Sequence, residues 1–187
     1  MSREGTMVYD DVPLTKRAIL EEAKTFDLEI VTKLSCTNGR ITRIASLETC
    51  KNLTELNLSG NCILEIEGLA NLVKLKKLIL TSNRIESLEN IDQIPSLQHL
   101  LIQDNRIASF EDFKQLKNLP HLQSVYFQNH GGDLPNPICR DRRYKAQVGF
   151  ASFFVPFSPA LALSRVLTAK PPPFSSNNQT ESLYTRC

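Results

Sequence analysis

A chain of 187 residues, 41% hydrophobic and 22% charged, has the length of one domain with tails and enough apolar material for a core, which excludes global disorder. Its formal charge of +2 is close to balance and gives little reason to expect nucleic acid, except indirectly through another protein. No apolar h-region opens the chain, and the longest apolar stretch, GFASFFVPFSPALAL, is shorter than a membrane span and holds two prolines, so neither a secretory signal nor a membrane anchor is expected.

Residues 1–12 read as a flexible N-terminus. Residues 13–30 read as a capping helix, with Thr15 as N-cap and Ile19, Ala23 and Phe26 at helical spacing to cover an apolar end. From 31 to 130 the chain repeats itself. The stretches starting at Leu53, Leu75 and Leu97 share the template LxxLxLxxNxIxxΦxxΦ, where Φ is Leu, Ile or Phe, at a period of 22 residues. Asn61, Asn83 and Asn105 fall in one slot. A weaker first copy starts at Val31 with Gly39 in the Asn slot, and a fifth opens at Leu122, Val125 and Phe127 because the fourth runs 25 residues. Self-similarity at this period marks a solenoid.

The uneven apolar spacing has a physical reading. Each LxL is a short strand with both leucines on one face. The apolar residues three apart after the Asn suit a loose 3₁₀-like return. The Asn stands where the chain turns sharply, and its amide can satisfy backbone groups there. We therefore expect an α/β solenoid: a right-handed superhelix of about five coils, with a short parallel sheet on the concave face and an irregular convex side. One coil buries little alone, so stability requires stacked neighbours.

Residues 131–148 read as an incomplete C-terminal cap and 149–187 as an atypical, disordered tail. That tail has no acidic residue before Glu181, and no periodicity survives in it. We read it as replacing a native cap, for instance through an alternative transcript end; the alternative is a genuine tail, disordered or folded over the last coil.

Little chemistry is legible. His99, His121 and His130 lie in different coils without a Cys, Asp or Glu at ligand spacing, and no nucleophile, zinc or phosphate-loop motif is present. Five cysteines without CxxC pairing read as reduced thiols; Cys36 and Cys50 take leucine slots in the template, and Cys139 packs the cap. We expect no enzyme, no metal and no cofactor. What remains is the concave face. Its central column is Ser35, Asn57, Ile79, Leu101 and Tyr126, and the column before it includes Lys77 and His99. Gln103 and Gln128 follow the strands. Ile79, Leu101 and Tyr126 form an apolar stripe where the template leaves the choice free, and a stripe with a polar rim is a binding surface for protein.

The repeats resemble leucine-rich repeats of the protein-phosphatase-1 regulatory-subunit type, with Asn61, Asn83 and Asn105 matching that family's asparagine ladder. NPICRDRRYKAQV resembles the cap following the last repeat, carried by Asn136, Pro137 and Tyr144. After Val148 the family's Leu-Pro turn and final short strand are missing. The resemblance implies a monomeric protein-binding adaptor. Its alternatives are a regulatory subunit of an enzyme such as a phosphatase, or a component of a ribonucleoprotein or spliceosomal assembly. It allows a cytoplasmic location first, and nuclear or centrosomal and ciliary settings besides.

Overall fold

The computed structural model describes residues 11–129 and 131–144; the tail from 149 on, His130 and Lys145 lie outside them. Five three-residue strands, β1 (Lys33–Ser35), β2 (Glu55–Asn57), β3 (Lys77–Ile79), β4 (His99–Leu101) and β5 (Ser124–Tyr126), form one sheet in chain order. Every pairing is parallel, and the register puts equivalent repeat positions side by side: Leu34, Leu56, Leu78, Leu100 and Val125 make one row. Strand n therefore pairs with strand n+1 because each coil returns the chain one strand spacing along, about 4.8 Å.

The two leucines of each LxL point inward. Leu56, Leu58, Leu78, Leu80, Leu100 and Ile102 are wholly buried, as are Leu53, Leu75 and Leu97, which lead into the strands. The return side supplies Ile63, Ile66, Leu69, Ile85, Leu88 and Ile91 to the same continuous core. Each such side chain contributes roughly 1.5–3 kcal/mol when buried, an upper bound that exists only in the stack. Short 3₁₀ turns, Leu28–Ile30, Ile91–Gln93 and Phe110–Asp112, lie on this return side. The longer fourth coil also holds one turn of α-helix, α2 (Phe113–Leu116). At Gly68 the backbone is left-handed (φ 69°), and a Cβ would stand 2.7 Å from the Ile44 carbonyl oxygen, so the tight return there admits only glycine.

The N-terminal end is closed by α1 (Lys16–Ala23), capped by Thr15, whose Oγ1 accepts from the Ala18 N–H at 3.2 Å. Leu14 and Ile19 are buried against the first coil, and Pro13 bridges to Arg43 in parallel fashion. The reading of Phe26 as a third covering residue is corrected. The helix stops at Ala23, Lys24 turns left-handed, and Phe26 is fully exposed while Leu28 takes the buried position. Helical spacing loses its meaning once the helix has ended.

At the other end Asn136 leads into a 3₁₀ turn, Pro137–Arg140, and Tyr144 is buried. The Arg143 guanidinium sits 5.1 Å over the Phe110 ring, and Phe113 packs against Phe127 at 5.1 Å between centroids. Cys36, Cys50 and Cys139 carry free thiols. Burial pushes the Cys36 thiol up to about 11 and raises that of Cys50, so neither is a nucleophile at neutral pH.

Candidate functional site: the outer face of the sheet

An internal scaffold fixes this face. The side-chain amide of Asn61 donates to the Cys36 and Leu58 carbonyls, that of Asn83 to Leu58 and Leu80, and that of Asn105 to Leu80 and Ile102. Each Oδ1 in turn accepts a backbone N–H from the preceding coil: Ile41 for Asn61, Ile63 for Asn83 and Ile85 for Asn105. Neighbouring asparagines thus share a carbonyl, and the strand ends are locked at one spacing. Gly39, in the Asn slot of the first coil, donates its N–H to Asn61 Oδ1 at 2.9 Å.

Asn136 is a fourth rung, although it follows Asn105 by 31 residues instead of 25. It donates to Ile102 and Phe127, accepts from Ile107 N–H at 3.1 Å, and is wholly buried. The sequence marked it only as a cap residue, because the 128–135 loop breaks the register. Asp112 was also missed. Its buried carboxylate accepts from Ser87 Oγ and the Leu88 N–H, tying the third coil to the fourth.

On the outer face the strand side chains align in the columns expected. In the first, Lys33, Glu55, Lys77, His99 and Ser124 stand side by side. Glu55 bridges Lys77 at 3.0 Å and Lys33 at 3.3 Å. Burial raises its carboxyl, but the two ammonium groups outweigh that and leave it below the usual range. His99 Nδ1 lies 2.9 Å from Ser124 Oγ. Burial, and then the Lys77 charge, lower the His99 pKa, so its imidazole is neutral at pH 7. Its NMR titration midpoint should fall below the ordinary 6.5. The sign follows: the unfolded chain binds this proton first, so His99 costs stability as pH falls below 6.5, and His99→Gln should flatten that part of the stability–pH curve. A midpoint at or above 6.5 would contradict the geometry.

In the central column Ser35, Asn57, Ile79, Leu101 and Tyr126 are again in register. The expected exposed stripe is corrected in two of its three members. Ile79 and Leu101 are only 7% and 8% exposed, and Tyr126 alone is half-buried. Ile79 and Leu101 stand adjacent in the interior of the sheet, with a strand on either side, whereas Tyr126 lies on the last strand. Behind them Thr81 Oγ1 donates to Gln103 Oε1 at 2.9 Å, and Gln103 is buried. Asn57 is half-buried and turned to its own coil, its Oδ1 accepting from the Ser59 N–H and hydroxyl. Gln128 is half-buried beyond β5. The accessible polar members of the site are thus Lys77, His99, Asn57 and Gln128, with Tyr126 as the apolar one.

Among the described residues no helix is long and apolar enough to cross a membrane, and no group of three His, Cys, Asp or Glu is placed to hold a metal ion. The fold is similar to a chain of the crystal structure of the Drosophila melanogaster SNF/U2A′ complex, at 22% identity over 75% of this chain and 79% of that one, with a TM-score of 0.63. It is also similar to an internalin, inlF, of Listeria monocytogenes, at 30% identity over 65% of this chain and 34% of that one, with a TM-score of 0.51. The present chain therefore spans about a third of that internalin. No curated protein sequence gives a significant match. The family profile described as "Leucine-rich repeat" matches residues 12–151, three quarters of the chain, and runs through every coil just described. The chain belongs to the leucine-rich repeat family.

Proposed function

We propose that this protein is a protein–protein interaction adaptor that holds its partner on the concave, strand-lined face of the solenoid. The supporting observation is the register itself. Five strands present aligned columns, so Lys77, His99 and Tyr126 form one continuous surface across β3 to β5. A leucine-rich repeat fold suits this role because it presents a rigid, preorganised surface, which reduces the ordering cost of binding. The finer resemblance of the repeats to the phosphatase-regulatory type, and of the layout from 14 to 148 to leucine-rich repeat-containing protein 61, belongs to the same reading. So do a monomeric state and a cytoplasmic location.

The test is capture from cell extract by the full chain and by a variant carrying Lys77→Ala, His99→Ala and Tyr126→Ala. Aspartate at Ile79 or Leu101 is avoided, since a charge at a buried site would threaten the fold. Loss of a captured protein by at least tenfold, with unchanged thermal unfolding, supports the concave site. Equal capture by both would refute it. A second reading, membership of a ribonucleoprotein assembly, draws on the similarity to a chain of the SNF/U2A′ complex. It requires the captured partner to carry RNA and to be released by RNase. Co-purifying phosphatase activity would instead favour an enzyme's regulatory subunit.

A further inference from the structure

The two ends of the sheet are not closed alike. At the first, α1 and the Pro13–Arg43 bridge cover the coil, and Leu34 is 4% exposed. At the last, the inward row that is buried at Leu34, Leu56, Leu78 and Leu100 reaches Val125, which is only partly buried. The backbone shows the same asymmetry. β4 holds β5 through the Gln98 carbonyl, which accepts from the Gln123 and Ser124 N–H groups, and through the Ile102 N–H, which donates to the Tyr126 carbonyl. One coil further on, the corresponding groups are the Gln123 carbonyl and the Phe127 N–H. Between them lie the N–H and C=O of Val125, which point away from β4 because alternate residues of a strand face opposite edges. None of these four groups takes part in a hydrogen bond among the described residues. The Phe127 carbonyl, by contrast, is taken by Asn136 and Cys139, so the cap closes only the far end of this edge.

We infer that the outer edge of β5 is a strand-addition site, which accepts an extended segment of a partner protein as a sixth strand. That segment needs an apolar residue to stack on Val125, as Val125 stacks on Leu100, and a neighbour on the opposite face to lie beside Tyr126. An unpaired edge supplies main-chain hydrogen bonds for affinity, and the alternate side chains supply selectivity. This deepens the adaptor reading and rests on it: the partner that meets Tyr126 on the concave face would continue onto the adjacent edge.

The probe is a fluorescein-labelled peptide with the sequence of residues 53–61, LTELNLSGN, which carries the strand pattern of this chain's own second coil. With the full chain it should bind saturably, and the Val125 amide, fast in hydrogen exchange compared with that of Tyr126, should slow at least tenfold. Val125→Pro removes only the outward N–H and is tolerated on an edge, so it should weaken peptide binding at least tenfold. If that variant folds poorly, the wild-type chain with a peptide N-methylated at its Glu55 and Asn57 positions, which removes the main-chain donors facing the edge, serves instead and should bind at least tenfold more weakly. The variant in Lys77, His99 and Tyr126 should retain main-chain pairing and most of the peptide affinity. Three results would each overturn the inference: equal binding by Val125→Pro or by the N-methylated peptide, no saturable binding by the wild-type chain, or a Val125 amide already protected in the free chain, which would mean that the chain fills its own edge. A partner lost on the concave variant but kept by Val125→Pro would refute strand addition and leave the adaptor reading standing.

Discussion

Asn83→Ala should cost about 3 kcal/mol of unfolding free energy, read as a fall in the midpoint of urea denaturation at unchanged slope. The figure follows from the groups left behind. The Ile63 N–H loses its acceptor at a buried position, and an orphaned buried donor costs about 1–3 kcal/mol. The Leu58 and Leu80 carbonyls each lose one donor but keep a second, from Asn61 and Asn105. That sharing makes a sharper expectation for the pair. In Asn83→Ala combined with Asn105→Ala, the Leu80 carbonyl loses both side-chain donors, so the double variant should fall below the sum of the two singles. Aspartate at 83 keeps an acceptor for Ile63 but removes both donations and puts a charge among carbonyls, so it should not rescue. A loss under about 1 kcal/mol for Asn83→Ala would show that water replaces the amide and that the ladder is not what sets the coil spacing.

At Asn136 the same chemistry should be read locally. Asn136→Ala orphans the Ile107 N–H and removes the links to the Ile102 and Phe127 carbonyls. Only one neighbouring coil lies beyond Asn105, so the last coil can open without unfolding the others, as repeat arrays allow. A loss of about 2.7 kcal/mol would accelerate hydrogen exchange of the amides around Leu122 to Phe127 roughly 100-fold, while those around Leu56 and Leu78 keep their rates. Uniform acceleration along the chain would mean that the solenoid opens as one unit. No acceleration would mean that the Arg143–Phe110 stack and the buried Tyr144 hold the end without the rung.

These two positions differ in how far the sequence betrayed them. Asn83 announces itself, because a 22-residue period puts it in line with Asn61 and Asn105 while the two residues before it differ in every coil. Asn136 does the same work, yet the loop before it shifts it out of register, and only the folded chain returns it to the column. Asp112 gave no signal at all, since its partners Ser87 and Leu88 lie some two dozen residues away and belong to no repeated slot.

The outer face shows the same division. Which residues point outward follows from alternation along LxL, and the columns of Lys77 with His99 and of Ile79 with Leu101 were legible from the repeat alone. How much of each is exposed was not, because exposure depends on neighbours that a period does not describe. Ile79 and Leu101 read as a free stripe and are buried; Phe26 read as a covering residue and stands in solvent.

The sequence by itself determined the solenoid, its coil spacing and the inward leucines, since a repeat dictates the same local answer at every turn and stacking is the one arrangement that buries all of them. The tertiary structure decided what happens where the repeat stops. There no neighbouring copy sets the geometry, so the helix end at Ala23, the displaced rung at Asn136 and the edge of β5, unpaired among the described residues, depend on contacts that only the folded chain brings together.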